Sequence, residues 1–217
     1  MKKPCSIVTN EDCMDMMSRY DNNFFDLAVV DPPYGIGMSG YKTSPKKGNG
    51  SNWAKKKWDN NIPSKKYFDQ LFRISKNQVI WGANHYVTNL NNSRGWIVWY
   101  KETNGYYSDA ELAYTSFQTP IKLFNFVWDG FRQGDMKNKE KRIHPTQKPI
   151  ALYRWIFKNY ADAGQKILDT HLGSGSSRIA AYEMDMNFYA CELDKDYFNA
   201  QEKRFKERPS VKTDKIF

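Results

Sequence analysis

Four residues that can bind a planar amine, Asp31-Pro32-Pro33-Tyr34, follow directly on the apolar run 27–30. The prolines stiffen the chain and remove two backbone N–H donors, while their carbonyl oxygens stay available as acceptors. The Asp31 carboxylate and the Pro32 carbonyl can accept the two hydrogens of an NH2 group, and Tyr34 can stack on its ring. This grip would localise the nitrogen lone pair towards an electrophile. A simple strand-to-loop turn is the alternative, but the full tetrapeptide after a buried strand favours function.

A second motif covers residues 167–177, with the sequence ILDTHLGSGSS. It predicts a strand, a Gly-x-Gly turn and a helix, and Gly173 and Gly175 would let the backbone approach a ligand closely. Glu192 follows Gly173 by 19 residues, a spacing that suits an acid accepting from ribose hydroxyls. Serines stand where the dinucleotide fingerprint has its third glycine. A Gly-x-Gly turn alone is weak evidence for a ligand-binding loop. It gains weight from Glu192 and from the first motif.

A third motif, HPTQKP at residues 144–149, stands before a predicted helix. Taken alone it indicates an extended connector with proline at the helix start. The histidines and cysteines of the chain are scattered: His85, His144, His171, Cys5, Cys13 and Cys191. Their spacing predicts neither a metal site nor a disulfide framework.

Short β-rich runs alternate with helical patterns, which predicts an α/β fold with a largely parallel sheet. The predicted strands are 6–9, 27–30, 78–81, 96–100, 123–128, 166–168 and 188–191. The predicted helices are 64–76, 150–160, 176–184 and 197–205. Ligands of such sheets bind at the carboxyl ends of the central strands, so both motifs should open into one crevice.

The composition indicates one basic domain. The chain has 217 residues, a net charge of +9 and a pI near 9.3, which suits a polyanionic partner such as nucleic acid. A merely basic surface is the alternative. No apolar run approaches the roughly 20 residues of a membrane span, and the first residues lack the apolar core of a signal peptide. A reducing cytoplasm is the expected compartment.

Two polar, basic segments, 35–66 and 129–147, interrupt the predicted scaffold. The first has eight lysines and a single acid, Asp59, and we expect it to contact phosphates. The residues expected to contact a nucleic acid are Lys46, Lys47, Trp53, Lys55, Lys56, Lys57 and Trp58. The two tryptophans could stack near a base or anchor the segment to the domain, and both interpretations stay open.

With these motifs in this order, the chain resembles the amino-methyltransferases that act on DNA, of the adenine N6 and cytosine N4 types. The catalytic tetrapeptide precedes the cofactor loop, which is typical of their beta class. That class also has a motif like 144–149 and an N-terminal Asp-Cys, matched by Asp12-Cys13. The stretch 109–116 is similar to small phage and prophage members. One departure is Thr170-His171, where many members have Pro-Phe.

The resemblance implies a Rossmann-like methyltransferase fold with permuted motif order. Its sheet would be mostly parallel and seven-stranded, with one antiparallel strand from the 123–128 region. S-adenosylmethionine would be the cofactor, with no metal. The implied catalytic residues are Asp31, Pro32, Pro33 and Tyr34. The implied cofactor-binding residues are Asp12, Cys13, Thr146, Lys148, Asp169, His171, Gly173, Ser174, Gly175, Ser176 and Glu192.

The implied activity is methylation of adenine N6 in DNA, on a flipped or single-stranded base. Asp at the first motif position favours adenine by family tendency, and cytosine N4 is the nearest alternative. Methylation of RNA or of a protein amide is more distant, and a non-catalytic nucleic-acid-binding module is a different class of hypothesis. The expected partner is DNA without any membrane, and the expected state is a monomer or a homodimer.

Overall fold

A computed structural model describes residues 4–39, 56–103, 108–129 and 132–208. They form an eight-stranded sheet of order β1-β8-β7-β2-β3-β5-β4-β6. The strands are β1 Ser6–Thr9, β2 Phe25–Val30, β3 Ser75–Trp81, β4 Trp96–Tyr100, β5 Ala110–Thr115, β6 Lys122–Asn125, β7 Lys166–Asp169 and β8 Asn187–Cys191. The helices are α1 Cys13–Ser18, α2 Lys65–Ile74, α3 Ile150–Tyr160, α4 Ser176–Glu183 and α5 Lys195–Lys206. None of the helices in the described part of the chain has the length and apolarity needed to cross a membrane.

Both faces of the sheet are buried, which explains the continuous apolar run in β2. Alternate side chains of a strand point to opposite faces. Leu27 and Val29 pack with residues of α3 and α4 on one face, and Ala28 and Val30 pack with residues of α1 and α2 on the other. A strand covered on both sides carries apolar residues at successive positions.

The parallel pairing of β2 with β7 positions the two sequence motifs. Leu27 pairs with Ile167 and Ala28 with Leu168, although 140 residues separate the partners. Since the two strands run in the same direction, the loops that follow them leave the sheet at the same edge. The N-terminal tetrapeptide and the C-terminal glycine loop therefore meet there.

The α/β fold and the mostly parallel sheet are confirmed, but two details of the expected sheet were wrong. The sheet has eight strands rather than seven, and its antiparallel strand is β5, not the 123–128 region. Only nine residues join β4 to β5, fewer than a parallel crossover requires, so the chain reverses there. The Ala-Glu-Leu-Ala sequence of β5 favours helix by intrinsic propensity, and the sheet context overrides it.

The central position of β2 predicts a large cost for truncating its buried side chains. Leu27 is fully buried, whereas Leu123 on the edge strand β6 is 63% exposed. Leu27→Ala should lower the free energy of unfolding by roughly 2–5 kcal/mol. Leu123→Ala is the matched control, and it should change that free energy by no more than about 0.5 kcal/mol. Urea unfolding followed by circular dichroism measures both, and similar costs would contradict this assignment of the core.

Candidate active site

A cavity of about 1090 Å³ opens at the edge where β2 and β7 end. It is lined by residues from the tetrapeptide, the glycine loop, the 144–149 motif and the N-terminal Asp-Cys. The predicted site residues that line it are Asp12, Cys13, Asp31, Pro32, Pro33, Tyr34, Lys56, Lys57, Trp58, Thr146, Lys148, His171, Gly173, Ser174 and Glu192. Segments far apart in the sequence thus share one space.

The tetrapeptide presents two acceptors to this cavity. The Tyr34 hydroxyl donates to Asp31 Oδ1 over 2.7 Å. The Tyr86 hydroxyl lies 3.3 Å from the Pro32 carbonyl but only 2.7 Å from the Trp81 carbonyl. Because a hydroxyl has one proton to donate, the shorter contact takes it, and the Pro32 carbonyl keeps acceptor capacity beside Asp31.

The Tyr34 ring is held by two residues that sequence reasoning missed. A Cβ atom at Gly82 would lie 2.1 Å from the ring, so only glycine fits beneath it. His85 stacks on Tyr34 with the ring centroids 5.1 Å apart and the planes 16° apart. Gly82 and His85 directly follow the end of strand β3 at Trp81. A glycine and a histidine at that place were the signal in the sequence that could have identified them as site residues.

Asp59 is another missed residue, and it shapes the loop after Tyr34. This single acid of segment 35–66 is buried. Its Oδ1 accepts from the backbone N–H groups of Tyr34 and Gly35 over 2.8 and 2.9 Å, and its Oδ2 accepts from that of Met38 over 2.7 Å. One carboxylate therefore ties the returning chain to the catalytic loop.

Lys148 lines the cavity and contacts the Asp31 carboxylate. Its ammonium group lies 2.5 Å from Asp31 Oδ2, 3.1 Å from the Tyr34 hydroxyl and 3.2 Å from Glu111 Oε2. Lys101 donates to the other oxygen of Glu111 over 2.9 Å. The resemblance implied a position beside the methionine end of the cofactor, and the geometry places the charge of Lys148 on the Asp31 carboxylate.

The glycine loop is shaped by left-handed backbone and by Glu192. Gly173 has φ +52° and Gly175 has φ +73°, a conformation that other residues rarely adopt. Glu192 accepts from the Gly173 N–H and from the Asp194 N–H, each over 2.8 Å. Ser174 and Ser176 bond to each other through their hydroxyls over 3.1 Å at the start of α4.

Beneath this loop lies Asp169, which is 2% exposed. It accepts from the Ser177 hydroxyl over 2.6 Å and from the His171 N–H over 3.1 Å. Burial raises its pKa to about 7, although these hydrogen bonds act in the opposite direction. Burial also lowers the pKa of His171 to about 4, so its imidazole is neutral at pH 7 and bonds to the Thr170 hydroxyl.

Asp12 and Cys13 also line the cavity. Asp12 caps helix α1 by accepting from the Met14 N–H over 2.7 Å. Burial raises the pKa of the Cys13 thiol to about 12, and the neighbouring Asp12 acts in the same direction. A thiol with this pKa is protonated at neutral pH and is a poor nucleophile.

The segment from Lys56 to Asp59 closes one side of the cavity. Lys56 donates to both oxygens of Asp194 over 2.6 Å and to Asp196 over 2.8 Å. Trp58 contacts the His144 ring at a centroid distance of 5.2 Å, as an anchor would. Lys57 is exposed. The predicted contacts Lys46, Lys47, Trp53 and Lys55 lie outside the described residues.

Comparison with known proteins identifies the class of this arrangement. Residues 59–203 match a family model of N6 and N4 methyltransferases that is described as DNA methylase. The chain is 22% identical to the Type II methyltransferase M.HpaI of Haemophilus parainfluenzae, over 87% of this chain and 70% of that protein. It is 25% identical to the Type II methyltransferase M2.MboI of Moraxella bovis, over 90% of this chain and 85% of that protein.

Solved structures show the same fold. The complex of M1.HpyAVI with SAM superposes with a TM-score of 0.59 at 18% identity, over 91% of this chain and 98% of that one. The cytosine-N4-specific PvuII DNA methyltransferase superposes with a TM-score of 0.62 at 10% identity, over 99% of this chain and 93% of that one.

The contacts of Asp59 predict a local effect on the loop after Tyr34. Asp59→Ala removes an acceptor from the N–H groups of Tyr34, Gly35 and Met38, and hydrogen bonds to a charged group contribute about 1.5–3 kcal/mol each. Their amide hydrogen exchange should therefore accelerate at least roughly tenfold. Asp69→Ala is the matched control, because Asp69 is exposed and forms a surface ion pair with Lys65. Equal exchange in both variants would show that Asp59 does not hold the loop.

Proposed function

The chain belongs to the N6/N4 DNA methylase family, and from this premise we propose that it transfers a methyl group from S-adenosylmethionine to the N6 amine of adenine in DNA. One observation carries the proposal: the amine-binding tetrapeptide and the glycine loop with its acid line a single cavity. A methyl donor and a planar amine bound there would be in contact, and orientation of two reactants is a large part of catalysis.

The residues of the glycine-loop side fit S-adenosylmethionine. Gly173 and Gly175 let the backbone approach the cofactor, and Glu192 is held by backbone N–H groups with lone pairs left for ribose hydroxyls. We assign the adenine end to Asp12 and Cys13. The remaining proposed contacts surround the methionine part: Thr146, Asp169, His171, Ser174 and Ser176. When bound, S-adenosylmethionine supplies an electrophilic methyl group on a positively charged sulfur.

The tetrapeptide side fits the target base. Asp31 and the Pro32 carbonyl accept the two amine hydrogens, Pro33 stiffens the turn, and Tyr34 stacks on the ring. The lone pair of the amine nitrogen, which is otherwise delocalised into the ring, is thereby directed out of the ring plane. Once the nitrogen carries the methyl group and a positive charge, Asp31 takes one of its protons and the product becomes neutral. His85 stacks on the Tyr34 ring in this structure, and we infer that the target base takes the place of His85 on that ring when it enters.

The partner of this site is DNA with the target base turned out of the helix, because an amine inside the duplex cannot reach the cavity. The net charge of +9 supports attraction to phosphates. We propose that Lys57, beside the cavity, supplies these contacts together with Lys46, Lys47 and Lys55. Trp58 serves as an anchor in this proposal, because it packs on His144.

Adenine is proposed rather than cytosine because the tetrapeptide begins with Asp31, as it tends to in adenine enzymes that this chain resembles. Duplex DNA incubated with the protein and S-adenosylmethionine should yield N6-methyladenine when its nucleosides are separated by mass spectrometry. The Asp31→Ala protein is the blank for this assay. N4-methylcytosine without methyladenine would overturn the choice of base, and no methylated nucleoside would overturn the proposed activity.

The two sides of the cavity should respond separately to substitution. Asp31→Ala should abolish methyl transfer while S-adenosylmethionine still binds, because Asp31 belongs to the base side. Gly173→Val should weaken cofactor binding by at least roughly tenfold, since a β-branched residue is strained at φ +52°. Isothermal calorimetry measures both affinities.

The matched control for the glycine substitution is Gly164→Val. Gly164 also has a left-handed φ, +84°, and an added Cβ there would meet open space. This variant should suffer similar backbone strain yet bind the cofactor normally. Equal losses of affinity in the Asp31 and Gly173 variants, or in the two glycine variants, would contradict the division of the cavity.

A further inference from the structure

Four charged side chains from four separate segments form a connected chain behind the tetrapeptide. Lys101 contacts Glu111, Glu111 contacts Lys148, and Lys148 contacts Asp31, over 2.9, 3.2 and 2.5 Å. The side chains of Lys148 and Lys101 are only 4% and 10% exposed. The side chains of Asp31 and Glu111 are 17% and 22% exposed, so two positive and two negative groups with no net charge are largely removed from water together.

Three of the four residues in this network lie on or beside backbone that the sheet holds in place. Asp31 directly follows β2 and Glu111 lies on β5. The Lys101 backbone is bonded on both sides, to the Asp109 carbonyl over 2.8 Å and to the Trp128 N–H over 3.2 Å. Side chains fixed in this way can hold a charge in place at little further entropic cost.

We propose that Glu111 and Lys101 are positioning residues for methyl transfer, which hold the Lys148 ammonium group in place on Asp31 so that this carboxylate keeps its positive partner and stays directed at the target amine. The inference rests on the proposed function, because it concerns the same carboxylate. It places Lys148 on the base side of the cavity and gives a role to the antiparallel strand β5.

The ionisation of the buried groups agrees with this role. Burial raises the pKa of Asp31, the charge of Lys148 opposes that rise, and the negative charge of Glu111 adds to it. Burial also acts to raise the pKa of Glu111, but the ammonium groups of Lys148 and Lys101 hold that pKa at about 2. Glu111 is therefore a permanent negative charge at neutral pH, able to keep Lys148 in place when an amine approaches Asp31.

The contacts also leave space for the substrate. A carboxylate has about four lone-pair sites, and Lys148 and Tyr34 each occupy one of them, on different oxygens. An amine hydrogen can be accepted without breaking either contact. A lysine side chain that contacted only Asp31 could move whenever Asp31 moves. One that also contacts Glu111 keeps its position.

The test uses the acidic limb of the pH dependence of kcat, which reports the ionisation of the essential carboxylate in the enzyme–substrate complex. Lys148→Met removes the positive neighbour of Asp31 and should move this limb up by about one pH unit or more. Lys101→Met leaves an excess negative charge and should move it in the same direction. Glu111→Gln leaves an excess positive charge and should move it down.

The double variant Lys101→Met/Glu111→Gln distinguishes a charge network from simple packing. Glu111→Gln alone should lower kcat at pH 7.5 by roughly tenfold, a size typical of coupling within one network. Adding Lys101→Met restores the neutrality of the network. The kcat of the double variant should therefore be at least about threefold higher than that of Glu111→Gln. Cofactor affinity should stay at the wild-type value in all these variants. Glu207→Gln and Lys203→Met, an exposed pair on and just beyond α5, are the matched controls.

Folding is checked for each variant by circular dichroism. If Glu111→Gln does not fold, Glu111→Asp keeps the charge but draws it back by one methylene, and it should show reduced kcat with a nearly unshifted acidic limb. An unmoved limb in all single variants, or strictly additive losses of kcat in the double variant, would overturn this inference while leaving the proposed activity intact. Absence of methyl transfer by the wild-type protein would instead overturn the proposed function itself.

Discussion

An ionised carboxylate in a partly closed cavity is costly unless opposite charge is placed beside it, because removing a charge from water costs several kcal/mol. Asp31 is such a group, and Lys148 lies 2.5 Å from it. Much of the local architecture satisfies this constraint. Strand β5 runs antiparallel in the sheet and carries Glu111, and the link between β6 and α3 delivers Lys148. The electrostatics of one residue thus connects segments that the chain separates widely.

The second requirement is that the methyl donor and the target amine bind next to each other, and the sheet meets this requirement. Pairing β2 with β7 brings an N-terminal and a C-terminal strand side by side. The motif order along the chain is then immaterial, since both loops leave the same edge of the sheet. This arrangement explains how two motifs that lie far apart in the sequence come to line one cavity.

Much of this could be predicted from the sequence, for identifiable reasons. The strand of Asp31 and the helix Ile150–Tyr160 have strong local signals, and Gly173 and Gly175 have the expected left-handed backbone. Strand β5 was missed because its composition favours helix. Glu111, His85 and Asp59 were missed as site residues because their significance depends on partners far away in the sequence, and local patterns do not contain such pairings.

The central claim is that one cavity holds the methyl donor with its reactive end facing Asp31. A crystal structure with a cofactor analogue that carries an amine in place of the S-methyl group tests it most directly. We expect the ribose of this analogue to lie beside Glu192. The amine that stands in place of the S-methyl group should point towards Asp31 and the Pro32 carbonyl. An analogue bound outside this cavity, or bound within it with that amine facing away from Asp31, would contradict the account.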